Sequence, residues 1–250
     1  MERGITTSRK KAQALIISGE VKADKKKVYK PSMMVDVDSK IEITERYPYV
    51  SRGGIKLKGA LNDFKINVKD KICVDVGASK GGFTDCLLKQ GAKRVFAIDV
   101  GTKQLDFKLS QNERVVNIEK TNIRYLEKKI FNNIIKAKNE KRGPDLVTID
   151  VSFISLKKVL PKIKELIQNH SEVLALIKPQ FEAEKKHIKK GVVKDENIQE
   201  RVVEEIKSFS EDLGFKVKGI TPSCLKGPKG NQEYFIYLKN IDARRLKDAR

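Results

Sequence analysis

Four charged residues stand at the ends of predicted strands or in a predicted helix, where their side chains could reach one cleft. Lys178 follows five apolar residues in EVLALIKPQFE, residues 172–182, and precedes a proline, which ends a central strand. Asp150 follows the mostly apolar run LVTI. Glu233 lies in NQEYF of a predicted terminal hairpin, and Lys56 lies in an early predicted helix. A Lys/Asp/Lys/Glu set suits a reaction at a hydroxyl group.

The chemistry expected of this set is removal of a proton from an alcohol. An alcohol is a weak nucleophile until its proton is leaving, and a lysine accepts that proton only when neutral. Burial and a second nearby cation both favour the neutral form of an amine whose ordinary pKa is about 10.4. The carboxylates would orient the lysines and balance charge. Two simpler interpretations stay open: Asp150 as a helix cap or surface acid, and Lys178 with a solvated head.

A glycine-rich turn lies between a predicted strand and a predicted helix. CVDV leads into GASKGGF, residues 77–83, and then into TDCLLKQGA. The spacing G-x-x-x-G-G is neither the dinucleotide fingerprint G-x-G-x-x-G nor a P-loop, which bring backbone N–H groups onto phosphates. Asp99 ends the next strand, 24 residues after Asp75. An acid roughly 20 residues on is expected to bind ribose hydroxyls in such folds. We therefore expect S-adenosylmethionine (SAM), a nucleoside cofactor without phosphate, with NAD as the main competitor.

Methylation of a base is disfavoured by the same sequence. Strand four ends in IDVSF, without the Asn/Asp-Pro-Pro-aromatic end typical of enzymes that act on exocyclic base nitrogens. Methylation at base C5 needs a cysteine nucleophile, and Cys224 precedes a lysine- and glycine-rich loop that fits this role poorly. A hydroxyl acceptor remains the better interpretation.

The elements that must position these residues alternate between strand and helix. KICVDVG, RVFAID, RVVNIE, DLVTIDV and EVLALIKP have the pattern of successive strands, and a further helix is expected from about Asn197 to Leu213. KVKGITPS and EYFIYLK predict a terminal hairpin. This order predicts an α/β, Rossmann-like domain with a mostly parallel seven-stranded sheet. A helix beginning at Ser51 precedes it, and residues 1–46 predict a small α+β unit with short strands around Val21 and Ile41–Ile43.

Composition limits the partners and the compartment. The 250 residues include 53 Lys and Arg against 33 Asp and Glu, a formal net charge of +20. This excess favours a polyanionic partner, either nucleic acid or an anionic membrane surface. Three cysteines without CxxC spacing and two histidines do not predict a zinc or other metal site. No signal peptide or membrane-spanning run is visible, so a cytoplasmic protein without integral membrane association is expected.

Eight motifs occur in the order and spacing of one family: SRGGIKL, DVGASKGGFTDCLL, FAIDVG, RVVNIEKTN, DLVTIDVSFISL, LIKPQFE, KGVVKD and GNQEYF. The chain resembles the TlyA (haemolysin A-like) family, a branch of the FtsJ/RrmJ-like ribose 2′-O-methyltransferases. Residues 1–46 resemble an S4 RNA-binding module, expected to be shortened because such modules begin with a further helical segment. Residues 47–250 are then the methyltransferase domain. The resemblance implies SAM-dependent 2′-O-methylation of ribosomal RNA, at cytidines, on free RNA or on ribosomal subunits.

The resemblance also implies roles for individual residues. The catalytic set falls on Lys56, Asp150, Lys178 and Glu233. Cofactor binding falls on the glycine turn and three later strand ends: Asp75, Gly77, Ala78, Ser79, Gly81, Gly82, Phe83, Asp99, Val100, Asn122 and Asp150. RNA contacts are expected of basic residues, namely Arg9, Lys10, Lys11, Arg52, Lys186, Lys189 and Lys190, with a further cluster at 244–247. Lys80 replaces a small hydroxyl residue of the relatives and is expected to point outward, because it would repel a sulfonium.

Two functions of other classes remain as alternatives. Family members often carry the name haemolysin, and the positive charge would support adsorption to anionic membranes. The sequence shows no strongly hydrophobic amphipathic helix to support that function. A non-catalytic RNA-binding factor for ribosome assembly, with a vestigial cofactor site, would share the basic surface.

Overall fold

The computed structural model describes residues 3–17, 20–43, 48–140 and 142–241. The chain divides into two compact units, Met1–Pro48 and Tyr49–Arg250. The basic cluster at 244–247 lies outside the described residues.

The first unit is a small α+β structure. It contains helix α1 (Arg9–Ile17) and strands β1 (Val21–Ala23), β2 (Lys26–Val28) and β3 (Ile41–Ile43). The strands form an antiparallel sheet in the order β2-β1-β3. Its buried core consists of Val21, Ala23 and Val28, so little apolar surface holds the unit together. The expected strands near Val21 and at Ile41–Ile43 are present.

The second unit is built on a seven-stranded sheet in the order β6-β5-β4-β7-β8-β10-β9. Five parallel strands and one antiparallel hairpin form it, which confirms the predicted fold class. The parallel strands are β4 (Ile72–Val76), β5 (Arg94–Ile98), β6 (Val115–Ile118), β7 (Leu146–Ile149) and β8 (Glu172–Ile177), and the hairpin strands are β9 (Phe215–Pro222) and β10 (Tyr234–Asn240).

Helices cover both faces of this sheet. They are α2 (Arg52–Asp63), α3 (Gly82–Lys89), α4 (Phe107–Ser110), α5 (Lys128–Lys136), α6 (Leu160–Leu166), α7 (Pro179–Glu182) and α8 (Glu196–Asp212), with 3₁₀ turns at Ile123–Tyr125, Leu156–Lys158 and Lys185–His187. Side chains alternate between the faces of each strand, so two separate cores result. Val74 packs with α5, α6 and α8, whereas Cys73 packs with α2 and α3.

The topology brings chemistry-bearing strand ends to one edge. The strands β5 and β7 flank β4, so their carboxyl ends open a crevice at the point where the strand order reverses. Asp150 follows β7 and Lys178 follows β8 at this edge. Because β10 runs antiparallel to β8, with Tyr234 opposite Ile177, Glu233 enters the sheet at the same edge.

Candidate active site

The turn after β4 requires glycine for its shape and for close packing. Gly77 has φ +82, and its N–H donates to the carbonyl of Ile98 at 2.9 Å. A Cβ added at Gly77 would lie 2.5 Å from the backbone oxygen of Asp150. A side chain would therefore push the turn away from the end of β7. The glycine thus keeps the ends of β4 and β7 close enough to share one cavity wall.

Asp99 ties the turn to the next strand end. One carboxylate oxygen accepts the Ser79 N–H at 2.8 Å, and the other accepts the Gly101 N–H at 2.8 Å. Each carboxylate oxygen has a second lone pair, so Asp99 can still accept hydrogen bonds from a ligand. Further along this edge, the Asn122 side-chain oxygen accepts the Arg124 N–H at 3.2 Å. Both side chains are therefore held in place before any ligand binds.

A cavity of about 730 Å³, termed the larger cavity, lies over these strand ends. Its size falls within the range of ligand-binding pockets. Six expected cofactor residues line it: Gly77, Ser79, Asp99, Val100, Asn122 and Asp150. Its outer wall includes Phe153, whose side chain is 91% exposed and whose ring centroid lies 5.0 Å from that of Phe181.

Lys178 and Asp150 form an ion pair beside this cavity. The ammonium nitrogen lies 2.5 Å from Asp150 Oδ1 and donates to Ser152 Oγ at 3.0 Å. The Lys178 side chain is 10% exposed, and that of Asp150 is 24% exposed. The ammonium group also lies 5.9 Å from the centroid of the Phe181 ring. One ion-pair partner and one hydrogen-bond partner hold the nitrogen and leave it able to meet a third group.

Lys56 and Glu233 form a second ion pair with a tighter enclosure. Lys56 Nζ donates to Glu233 Oε2 at 2.5 Å, and Glu233 is 1% exposed. The other carboxylate oxygen accepts from Gln180 Nε2 at 3.3 Å. A Cβ added at Gly227 would lie 2.5 Å from Glu233 Oε1, so the backbone of this loop presses directly on the carboxylate. The pair is fixed from several sides.

A second cavity of about 340 Å³, termed the smaller cavity, adjoins the larger one. Gly77, Ser79, Asp150 and Ser152 line both cavities. Lys56 and Lys178 line the smaller cavity as well. The Lys178–Asp150 pair therefore stands where a ligand in one cavity meets a ligand in the other.

Comparison with known proteins identifies the family of this chain. The FtsJ-like methyltransferase family matches residues 49–240. The chain belongs to this family. It is 38% identical over 258 residues to "16S/23S rRNA (cytidine-2′-O)-methyltransferase TlyA" of Mycobacterium tuberculosis, covering all of this chain and 92% of the relative. It is 43% identical over 236 residues to "Hemolysin A" of Brachyspira hyodysenteriae, covering 94% and 95%.

A solved structure supports the same assignment. A Streptococcus thermophilus protein provisionally named as a hemolysin superposes with a TM-score of 0.77 at 39% identity, over 96% of this chain and 86% of that chain. The expected resemblance to TlyA and FtsJ-like methyltransferases is thus confirmed. SAM is the cofactor of this class, and the chain is a SAM-dependent methyltransferase.

The residues of this FtsJ-like methyltransferase fit SAM. The glycine turn leaves space that any side chain at Gly77 would remove, and Asp99 offers acceptors for the two hydroxyls of a ribose. The larger cavity also has apolar walls, Ile98, Val100 and Ile123, suited to an adenine ring. In the described ranges, no group of three or more His, Cys, Asp or Glu side chains is arranged to hold a metal ion.

Several expected cofactor residues lie elsewhere in the methyltransferase. Ala78, Gly82 and Phe83 line the smaller cavity, and Gly81 lines neither, because Leu105 and Leu109 pack over it. Contrary to expectation, Asp75 also lines neither cavity.

Asp75 is wholly buried in β4, on the face that packs against α3. Its carboxylate accepts hydrogen bonds from Thr84 Oγ1 at 2.7 Å and from Thr148 Oγ1 at 3.2 Å. Burial raises the pKa of Asp75 to about 7, and the charge of Asp150 adds to the shift, against the two threonine bonds. Asp75 therefore joins β4 to α3 and β7 beneath the surface of the site.

The expected RNA-contacting residues are all exposed. Arg9, Lys10 and Lys11 lie in or at the start of α1, and Arg52 lines the smaller cavity. Lys186, Lys189 and Lys190 lie in the segment 185–190, where Lys186 pairs with Glu184 at 2.8 Å. Lys80 is exposed, as expected, but it also lines the smaller cavity.

Three residues of the site were not singled out from the sequence. Ser152 bonds Lys178, Gln180 bonds Glu233, and Lys226 lines the smaller cavity. Ser152 and Gln180 each stand two positions after a predicted catalytic residue, and this closeness in the sequence could have identified them. None of the helices described is both long and apolar enough to cross a bilayer.

Proposed function

We propose that this chain transfers the methyl group of SAM to the 2′-hydroxyl of a ribose in ribosomal RNA, at cytidine. The observation that carries the proposal is the Lys178–Asp150 ion pair in the wall between the two cavities. The TlyA relative, which carries the activity in its name, supports the choice of substrate.

The larger cavity is the proposed cofactor site. Asp99 would accept the hydroxyls of the cofactor ribose, and Asn122 would lie beside the adenine. Gly77 and Ser79 form the wall that faces the second cavity. When bound there, SAM supplies a methyl group on a positively charged sulfur.

The smaller cavity is the proposed acceptor site. A 2′-hydroxyl entering it would meet Lys178 from the direction that Asp150 and Ser152 leave open. In its neutral form the Lys178 amine accepts the hydroxyl proton, which makes the oxygen nucleophilic. Asp150 holds the amine in place and stabilises the ammonium that results. This assigns Lys178 the role of base rather than that of an orienting cation.

Lys56 and Glu233 would complete the acceptor site. Lys56 lines the smaller cavity, so its remaining N–H groups can hold an oxygen of the acceptor ribose. Glu233 does not line either cavity; it fixes the position of Lys56 from beneath. Such fixed donors support transfer by holding the acceptor in a reactive orientation.

The rest of the chain suits a large polyanion. The net charge of +20 favours ribosomal RNA as a partner, and the exposed basic residues of α1 fit an RNA-binding role for the first unit. We therefore extend the proposal to an S4-like module in residues 1–46, a methyltransferase domain in 47–250, and action in the cytoplasm, where ribosomes are assembled.

The test is transfer of labelled methyl from SAM to ribosomal RNA that lacks the modification, followed by alkaline hydrolysis. A 2′-O-methyl group removes the internal nucleophile, so the label should remain in alkali-resistant dinucleotides. Lys207→Ala is a control, because Lys207 is a partly exposed lysine of α8 that pairs with Glu204 and lines neither cavity. Label in alkali-labile mononucleotides would place the methyl group on a base and refute the proposal.

The same preparations test the membrane-active alternative. The proposal predicts that purified protein does not lyse red cells. Lysis that Asp150→Ala leaves undiminished would assign the chain an activity independent of the proposed active site.

A further inference from the structure

Five cationic side chains line the smaller cavity: Arg52, Lys56, Lys80, Lys178 and Lys226. They divide into an inner and an outer group. The inner lysines, Lys56 and Lys178, are buried, and each has a carboxylate at 2.5 Å. Their charges are already balanced within the protein.

The outer three, Arg52, Lys80 and Lys226, are exposed and carry no such partner. Within the part of the chain that the structure describes, no carboxylate lies at ion-pair distance from any of them. The polar contact of the Arg52 side chain is with the backbone oxygen of Lys226, at 2.9 Å from Nη2. Elsewhere exposed lysines do pair, as Lys186 does with Glu184 at 2.8 Å. The mouth of the smaller cavity therefore holds three unbalanced positive charges.

The loop that carries Lys226 is fixed rather than free. The Arg52 bond ties it to α2, and Cys224 Sγ lies 3.6 Å from the Ile55 carbonyl on the same helix. On the other side, Asn231 Nδ2 donates to the Gly191 carbonyl at 2.9 Å. The loop backbone also presses on Glu233. Arg52 and Lys226 are thus positioned by the same loop that contacts Glu233 of the inner pair, whereas Lys80 is carried by the glycine turn.

We propose that Arg52, Lys80 and Lys226 form a phosphate site that binds the phosphodiester next to the target ribose. The inference rests on the proposed function and deepens it: the RNA backbone beside the target ribose is bound at the mouth of the smaller cavity, which a free nucleoside would leave empty. Phosphate oxygens accept several charge-assisted hydrogen bonds, which suits a fork-shaped guanidinium beside two ammonium groups. The inner pairs act on the ribose, and the outer cations set its position.

The test compares Lys80→Ala/Lys226→Ala with the Lys207→Ala control, using unmodified ribosomal RNA as acceptor. The double variant should raise the KM for RNA about tenfold and make binding less salt-dependent, whereas the control should do neither. Its SAM affinity should match the wild type, because neither residue lines the larger cavity. The single variant Lys80→Arg keeps the charge at position 80 and leaves Lys226 unchanged. It should retain most of the RNA affinity of the wild type. Equal KM and salt dependence in the double variant and the control would overturn the phosphate site.

Failure of this inference and failure of the proposed function give different results. An active wild type with an unaffected double variant refutes the phosphate site alone. A wild type that transfers no methyl group to RNA refutes the proposed function. In that case, binding of a fluorescent oligocytidylate strand to wild type and double variant decides the phosphate site: equal affinities refute it, and weaker binding by the variant supports it.

Discussion

The two lysine–carboxylate pairs at the sheet edge have the same 2.5 Å separation but different surroundings. Lys178–Asp150 stands between the two cavities, and Asp150 is 24% exposed in its side chain. Lys56–Glu233 is closed on the carboxylate side, where Glu233 is 1% exposed and packs under the backbone of Gly227. A ligand can therefore meet both members of the first pair but only the lysine of the second.

This difference gives the two pairs different roles, one in the chemical step and one in positioning the acceptor. The open pair can change its hydrogen bonds during a reaction, because solvent or a ligand can replace a partner. The closed pair cannot do so without leaving a buried charge uncompensated, which costs several kcal/mol. We infer that the open pair handles the proton and that the closed pair holds the acceptor.

The largest expected effect comes from Lys178→Arg, which keeps the cation of the open pair but cannot take a proton. We expect kcat to fall by about 10²- to 10⁴-fold, the usual contribution of general base catalysis. Single-turnover rates of methyl transfer by the wild type and the variant measure this loss. An arginine variant with near wild-type kcat would show that residue 178 acts as an orienting cation.

A smaller loss of activity is expected when the closed pair is broken by Glu233→Gln. Lys56 would keep its charge in a buried position, so the free energy of unfolding should fall by about 3 kcal/mol. Displacement of Lys56 should lower methyl transfer by about tenfold to a hundredfold. Urea unfolding and single-turnover rates measure the two effects. A kcat loss larger than that of Lys178→Arg would reverse the roles assigned to the two pairs.

Asp75→Asn tests the buried carboxylate that joins β4 to α3 and β7. The pKa of Asp75 is about 7 in the folded chain and about 3.9 when unfolded. The folded chain thus binds the extra proton between these values, so stability is highest below about pH 4 and falls as pH rises through 7. We expect the wild type to lose on the order of 2 kcal/mol more than the variant between pH 5 and pH 8. The free energies of unfolding of the wild type and the variant are measured at both pH values. An equal change in the two proteins would contradict this expectation.

The smallest effect is expected at a buried carboxylate away from both cavities. Glu140 accepts from Lys93 at 2.6 Å and Arg94 at 3.1 Å. Burial alone would raise the pKa of Glu140, but the two cations outweigh it and hold the pKa below its ordinary value. Its stabilisation is therefore present above about pH 4.3 and lost as pH falls through the folded value. Glu140→Gln should cost about 1 kcal/mol at pH 7 and leave kcat unchanged; a change in kcat would mean that ion pairs outside the site also control the reaction.

The sheet could be predicted from the sequence because its strands carry a strong local signal. The apolar run at 173–177, ended by Pro179, identifies β8, and similar runs identify its neighbours. The order of the strands then places Asp150 and Lys178 at one edge. This part of the site follows from rules for parallel sheets and needs no side-chain detail.

The closed pair could not be predicted from pattern in the same way. Lys56 and Glu233 lie 177 residues apart, and Lys56 stands off the apolar stripe of α2 yet is 7% exposed. The family resemblance implied a catalytic role for both residues. Their contact depends on the antiparallel pairing of β10 with β8, which brings Glu233 to this edge of the sheet. The surroundings of Asp75 could not be predicted for a related reason: the sequence places it near the glycine turn, whereas the threonines that bond to it come from α3 and β7.

The most direct test of the account is a single-turnover measurement on Lys178→Met, with SAM and ribosomal RNA both saturating and with cofactor affinity measured in parallel by calorimetry. The account predicts that SAM binds as in the wild type while the rate of methyl transfer falls by at least about 100-fold. Transfer to the ribose 2′-hydroxyl at the wild-type rate would contradict it, since the open pair would then have no part in moving the proton.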